Sequence, residues 1–299
     1  MKLKYTTKLF IVVNIIAVAF RTLQIMFLTE SGNTFLKSDM LVANIIGTVL
    51  VVLSLGALCF NANGAVRQPE VLNCKGIPSA IVACLSGVLY LAGGCLGAVS
   101  SGKINTVLLA SSVAVAVACT LLSVSALGKM RFPKGAALLF LVYWLVEFIC
   151  AYLFYTEKAL RVRTVYETFA ICAVLLFSVT LGKAISGVSP EKNFRRIYPL
   201  GLLACTLCNV SLIPELIAWV CGFGDKVTES AVMPLSLAAA AIFTGFFTIN
   251  TFKKSNTIHP RMKKRMDEGR IAKDWSYELK KSEPTVDEPV IQENPVDEE

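Results

Sequence analysis

Residues Lys8–Leu28, KLFIVVNIIAVAFRTLQIMFL, decide how the rest of the chain is read. They make an apolar run of the length a helix needs to cross a bilayer, about 20 residues, and the run contains one arginine, Arg21. The run has a competing reading: Lys2, Lys4 and Lys8 ahead of an apolar segment ending Ala17-Val18-Ala19 resemble a signal peptide. Cleavage there would remove residues 1–19 and leave one span fewer. Hydrophobicity resumes after Arg21 and continues to Leu28, so the stretch is read as a complete first span with a charge inside it.

Composition extends that reading to the whole chain. Of 299 residues, 55% are hydrophobic and 17% charged, against about 25% charged in soluble domains. A charge facing hydrocarbon costs at least ~2.5 kcal/mol near the bilayer centre, which accounts for the deficit if most side chains meet lipid or other helices. Eight apolar segments are long enough to span: residues 8–29, 40–62, 78–99, 104–127, 136–156, 163–185, 197–221 and 229–252. The links between them are too short for a soluble domain. The expected fold is all-α, a polytopic membrane helix bundle with about eight transmembrane helices.

Orientation follows from Lys and Arg in short loops. On the side of the N-terminus stand Lys2, Lys4, Lys8, Arg67, Lys75, Lys129, Arg131, Lys134, Lys192, Arg195 and Arg196. The other side has Lys37, Lys103, Lys158, Arg161 and Lys226, and Arg163 and Lys183 at span ends add one to each. The N-terminus and C-terminus are therefore expected to be cytoplasmic, in a bacterial plasma membrane.

The chain divides into three parts: a transmembrane bundle over 1–252, a basic amphipathic segment over 253–281 and an acidic tail over 282–299. Net charge is +8, but 19 of the 29 Lys and Arg lie within residues 1–252, between apolar spans. That placement points to topology and lipid headgroups as partners rather than nucleic acid. In the middle part Met262, Met266, Ile271, Trp275 and Leu279 recur at near-helical intervals among basic residues, a pattern that suits anionic headgroups. From Ser282 onward no basic residue occurs, and too few apolar groups remain to offset the entropy of ordering.

Nothing in the sequence carries a specific chemistry. There is no phosphate-binding loop, HExxH or nucleophile elbow. His259, the single histidine, cannot build a triad or a metal site alone. Cys205 and Cys208 have redox spacing, but Cys84, Cys95, Cys119, Cys150, Cys172, Cys205 and Cys208 all lie in apolar segments, where cysteine behaves as a small hydrophobe. No cofactor, metal or catalytic residue is expected, and an enzyme is the less favoured reading.

What the sequence does offer is a short set of polar residues too costly to be incidental in a span. Arg21, Glu147, Glu167 and Glu215 are the ionisable ones. Arg21 precedes Glu30 by nine residues and Glu147 precedes Glu157 by ten, which puts the two about 13 and 15 Å below the outer ends of their helices. Glu215 lies ten residues before Asp225, and Glu167 stands just inside the start of its span. All four belong to the outer half. Asn14 and Gln24 share a helix face with Arg21, while Asn44, Tyr143, Tyr166 and Asn209 are further candidates to line the region. Pro214 removes a backbone donor beside Glu215, and a kink there would help to open a cavity.

These residues suggest a polar pocket open to the outside, with Arg21 and Glu147 as candidate partners. A buried ion pair that only fixes helix register explains the same two residues. The pocket suits a small-solute transporter or permease. The alternative is a membrane sensor or regulatory scaffold signalling through the cytoplasmic tail. Gly93-Gly94-Cys95-Leu96-Gly97 and the small residues of the fourth span, Ala110, Ser111, Ser112, Ala114, Ala116, Ala118, Ser123 and Ser125, read as helix-packing faces.

Overall fold

The computed structural model describes residues 2–29, 41–65, 76–100, 106–128, 132–155, 162–186, 190–223 and 232–255. These form eight helices and, among the described residues, no strand. They are α1 (Lys2–Leu23), continued by a π-helical turn (Gln24–Leu28), α2 (Leu41–Ala65), α3 (Ile77–Ser100), α4 (Thr106–Ala126), α5 (Ala136–Tyr155), α6 (Val162–Ile185), α7 (Pro190–Val220) and α8 (Val232–Ser255). Each matches one apolar segment of the sequence. The basic segment over 253–281 and the acidic tail over 282–299 fall, beyond Ser255, outside the described residues.

Six helices contain a stretch long and apolar enough to cross a membrane: Tyr5–Leu28, Val42–Asn63, Ile77–Leu96, Thr106–Ala126, Val165–Ile185 and Arg196–Val220. The apolar stretches of α5 and α8, Ala136–Cys150 and Leu235–Asn250, are shorter. The pattern is that of a multi-pass membrane protein. Its outer faces agree: Ile15, Val42, Leu53, Phe60, Ile81, Leu138 and Leu176 are more than half exposed, as hydrocarbon-facing side chains would be.

Local sequence explains the helix ends. α7 begins two turns earlier than the apolar segment implies, so that Arg195 and Arg196 lie on the helix rather than in a loop. Pro190 at its first position has a φ already suited to a helix and no N–H to waste. At the other end of α7 the Phe223 N–H donates to the Ala218 carbonyl (2.9 Å) and the Gly222 N–H to that of Trp219 (3.2 Å). Gly222 has φ +85°, so this is a Schellman stop at a residue able to take the left-handed conformation. Inside α7 both Pro199 and Pro214 are accommodated without ending the helix.

Helices α3, α4, α5, α6, α7 and α8 form a closed ring in which each packs on the next and α8 returns to α3. The hairpin α1–α2 docks on the outside of this ring, both helices against α7. Aromatic side chains fill the ring. Tyr90, Tyr143 and Trp144 form one group, with centroids 5.0 to 6.0 Å apart and edge-to-face planes. Phe140, Phe243 and Phe247 form a second, stacked at 5.0 Å, with Phe177 edge-on to Phe243. Such pairs contribute about 0.5–1.5 kcal/mol each beyond the area they bury.

The ring closes because its walls are made of small residues. A Cβ added at Gly94 of α3 would stand 2.1 Å from Ser112 Oγ of α4, and one at Gly87 would stand 2.9 Å from Cys119 Cβ. Between α7 and α8, Gly201 meets Thr248 and Gly245 meets the Cys205 sulfur in the same way. The small residues of the third and fourth spans are thus packing faces, as their spacing implies. Ser123 adds a hydroxyl bond to the Ala80 carbonyl across the same interface (2.9 Å).

Replacing Gly94 by Ala is expected to destabilise the folded bundle by about 1–3 kcal/mol, because neither helix backbone can retreat cheaply. Gly56→Ala on α2, where a Cβ meets nothing within 4 Å, should be neutral or stabilising. Thermal unfolding of the two variants in detergent separates the cases; equal midpoints would mean that the α3–α4 contact is looser than its geometry implies.

Candidate functional site

Three polar clusters lie inside the bundle, and most of the candidate residues fall into them. The first starts at the end of α1. Arg21 is only 4% exposed. Its Nη1 donates to Gln24 Oε1 (2.5 Å), and Gln24 Nε2 donates to Asn44 Oδ1 on α2. The guanidinium carbon stands 4.4 Å from the ring centroid of Tyr166 on α6. A guanidinium taken from water is attracted to the ring face by about 2 kcal/mol or more.

The π-helical turn that follows Arg21 has the wider backbone loop of an i→i+5 bond, and it carries Gln24 and Ile25 inward. Turns of this kind concentrate at functional sites. Thr29 then leaves the helix in an extended conformation, its hydroxyl bonded back to the Ile25 carbonyl (2.5 Å). Phe27 of the turn packs edge-on against Phe223 beyond α7, with centroids 6.3 Å apart.

The second cluster ties α1 to α7 two turns before Arg21. Asn14 Nδ2 donates to Thr206 Oγ1 (3.1 Å), and Asn14 Oδ1 accepts from Asn209 Nδ2 (2.9 Å). Asn209 also reaches the Cys205 sulfur at 3.6 Å. Both amides thereby gain partners without water, as an apolar interface requires.

The third cluster lies within the ring. The Tyr143 hydroxyl donates to Glu147 Oε1 (2.7 Å), one turn along α5, and stands 2.7 Å from Ser236 Oγ of α8. Ser236 Oγ is itself 3.4 Å from the same carboxylate oxygen. Glu147, Tyr143 and Ser236 are 6%, 0% and 1% exposed. Gly93 keeps α3 close behind Ser236, where an added Cβ would come within 3.3 Å of its hydroxyl.

Hydrogen bonds and the ring contact join Asn44, Gln24, Arg21 and Tyr166 in one cluster and Tyr143, Glu147 and Ser236 in another. Glu167, the residue after Tyr166, is buried on α6. Glu215 is half-buried on α7, directly after the buried Pro214. The partners seen for Arg21 are Gln24 and Tyr166, and those for Glu147 are Tyr143 and Ser236.

Ser236, Thr206 and the π-helical turn are additions that the sequence did not mark. Ser236 and Thr206 are among many small hydroxyl residues in the spans, and only tertiary placement distinguishes them. No group of three or more His, Cys, Asp or Glu suited to a metal ion occurs among the described residues. Nine cysteines among the described residues, including the pair Cys205 and Cys208, are free thiols.

No protein-family model matches the chain, and neither curated proteins nor solved structures give a match. The class of protein rests on the helix pattern and the clusters alone.

The Arg21–Tyr166 contact is testable by a double-mutant cycle. Arg21→Met and Tyr166→Leu should each lower stability, and the double variant should lose less than their sum, with a coupling of about 0.5–2 kcal/mol. Chemical unfolding in detergent supplies the four free energies. Strict additivity would mean that the ring face contributes nothing to holding the guanidinium.

Proposed function

We propose that the protein is a small-solute permease, with Arg21, Tyr166, Glu167 and Glu147 forming a polar pocket that opens to the outside. The observation that carries this reading is the burial of Arg21 inside an apolar helix, directly before a π-helical turn, with an aromatic face and an amide holding it in place. A membrane protein that needed only a rigid bundle would lose little by having an apolar residue there. A guanidinium is retained where it meets a charged or strongly polar group during the working cycle.

The architecture gives the pocket a means of changing shape. The α1–α2 hairpin sits outside the ring, and Arg21 reaches from it to a ring helix. A solute that binds between them would bind both bodies, and it would favour whichever relative position completes its contacts. Alternating access needs two such positions of packed bodies around one site.

The reading includes a plasma membrane of bacterial type, cytoplasmic termini and contact of residues 253–281 with anionic headgroups. It makes the tail dispensable: deletion of 256–299 should leave solute flux in proteoliposomes nearly intact.

A thermal-shift screen of the purified protein against small charged solutes tests the pocket. A true ligand at about 100 times its dissociation constant adds roughly 2.7 kcal/mol of stability. Wild type should shift by several degrees, while Arg21→Ala and Glu147→Ala should shift little or not at all. A ligand that stabilises both variants as well as wild type would remove the pocket from consideration.

A further inference from the structure

The permease reading leaves open what drives the cycle, and the cluster at Glu147 supplies an answer that rests on that reading. We propose that Glu147 is the proton-binding residue of the protein, so that solute movement is coupled to a proton, and that Tyr143 and Ser236 are the positioning residues that keep this carboxyl group usable in both of its protonation states.

The argument is one of hydrogen-bond inventory. A tyrosine and a serine hydroxyl each have one proton to donate and can also accept. With Glu147 ionised, Ser236 donates to Tyr143 and Tyr143 donates to Glu147 Oε1, and the two 2.7 Å separations are those of such a chain. With Glu147 protonated, its own O–H donates and the hydroxyls turn to run the chain the other way. The 3.4 Å approach of Ser236 Oγ to the same oxygen marks the second route into the chain. In both states the Glu147–Tyr143–Ser236 chain persists by rotation of hydroxyl hydrogens, with no movement of heavy atoms. Either state would be stranded in a site built only of N–H donors, or only of carbonyl acceptors.

The surroundings fit a site that gains and loses one charge. The hydroxyls of Tyr143 on its own helix and Ser236 on α8 stand against the carboxylate, and Tyr90 on α3 packs edge-on against the Tyr143 ring, with centroids 5.0 Å apart. The other buried charged side chains among the described residues are Glu167 on α6 and Arg21 on α1, the latter over the Tyr166 ring. Binding or release of one proton at Glu147 changes the charge of the trio between neutral and −1. On release, the carboxyl O–H bond breaks and the proton passes to solvent water admitted when the pocket opens. On uptake, a hydronium ion returns it. Nothing is oxidised or reduced, and no further reactant is needed.

The position of the trio also connects the proton to shape. α5 and α8 face one another across the ring rather than packing side by side, and the Tyr143–Ser236 bond links them through its centre. Reversal of that chain exchanges donor and acceptor at the α5–α8 contact, so the protonation state of Glu147 bears directly on the bond between facing helices.

The test is infrared difference spectroscopy of the full-length protein in lipid nanodiscs, titrated from mildly acidic to mildly alkaline pH in H2O and D2O without any solute. Wild type is expected to show a carboxyl C=O band that disappears as pH rises and shifts in D2O. Glu147→Gln should abolish the band, and Glu167→Gln should retain it. Tyr143→Phe should move it to higher frequency, because the protonated carboxyl group loses a hydrogen-bond partner. Absence of the band in wild type, its survival in Glu147→Gln or its loss in Glu167→Gln overturns the proposal. If Glu147→Gln does not fold, the Tyr143→Phe spectrum decides: a band that does not move overturns it. Because no solute is present, this result stands or falls separately from the solute-dependent thermal shifts that test the permease reading.

Discussion

Hydrocarbon offers a polar group nothing to bond with, and the arrangement of this bundle follows from that single constraint. The amides of Asn14 and Asn209 bond to each other across α1 and α7 because the alternative at that depth is no partner at all. Gln24 is committed on both sides, to Arg21 through its oxygen and to Asn44 through its nitrogen. The hydroxyls of Thr22, Ser112, Thr180, Thr206 and Thr244 fold back onto carbonyls of the preceding turn. The buried charges of Arg21 and Glu147 take one partner from their own chain segment, Gln24 and Tyr143, and another from a different helix, Tyr166 of α6 and Ser236 of α8.

Close approach of the helices makes the long-range solutions available. Glycines at positions 87, 94, 201 and 245 allow α3–α4 and α7–α8 to come together at distances that any Cβ would prevent. That draws the ring tight enough for Tyr143 of α5 to touch Ser236 of α8 and for Phe140 to stack on Phe243. With a wider ring, the same residues would face each other across a gap, and Glu147 would lose one of its two hydroxyl neighbours. Packing in the walls thus sets the chemistry at the centre.

Most of the fold was legible in the sequence, since each of the eight apolar segments is a helix. The signal is strong because a span is long and its composition is constrained at nearly every position. The apolar span in α7, Arg196–Val220, lies where the sequence places it, while the helix itself begins earlier, because charged residues such as Arg195 and Arg196 mark the end of a span but not the end of a helix. The candidate site was legible as a set of expensive residues. Its connections were not. Spacing put Asn14 on the face of Arg21, but the two serve different partners, because α7 runs beside the middle of α1 and α6 is reached only near its end. Depth arithmetic set Arg21 and Glu147 at one level, but the ring that meets Arg21, Tyr166, and the hydroxyl that meets Glu147, Ser236, belong to helices whose positions no spacing rule reveals.

The two inward-reaching side chains of α1 are satisfied by different physics. Asn14 is joined to α7 by two neutral hydrogen bonds, each worth about 0.5–1.5 kcal/mol net and each fixed in direction by its donor and acceptor. Arg21 meets α6 at the face of Tyr166, where the ring quadrupole rather than a lone pair supplies the attraction. The π-helical turn follows Arg21 directly, so the charged side chain stands where the backbone of α1 departs from its regular pattern, and the same turn carries Gln24 inward to accept from the guanidinium. A departure from regular backbone and a buried charge thus fall at one place on α1, while the regular part of the helix is tied to α7 by neutral hydrogen bonds.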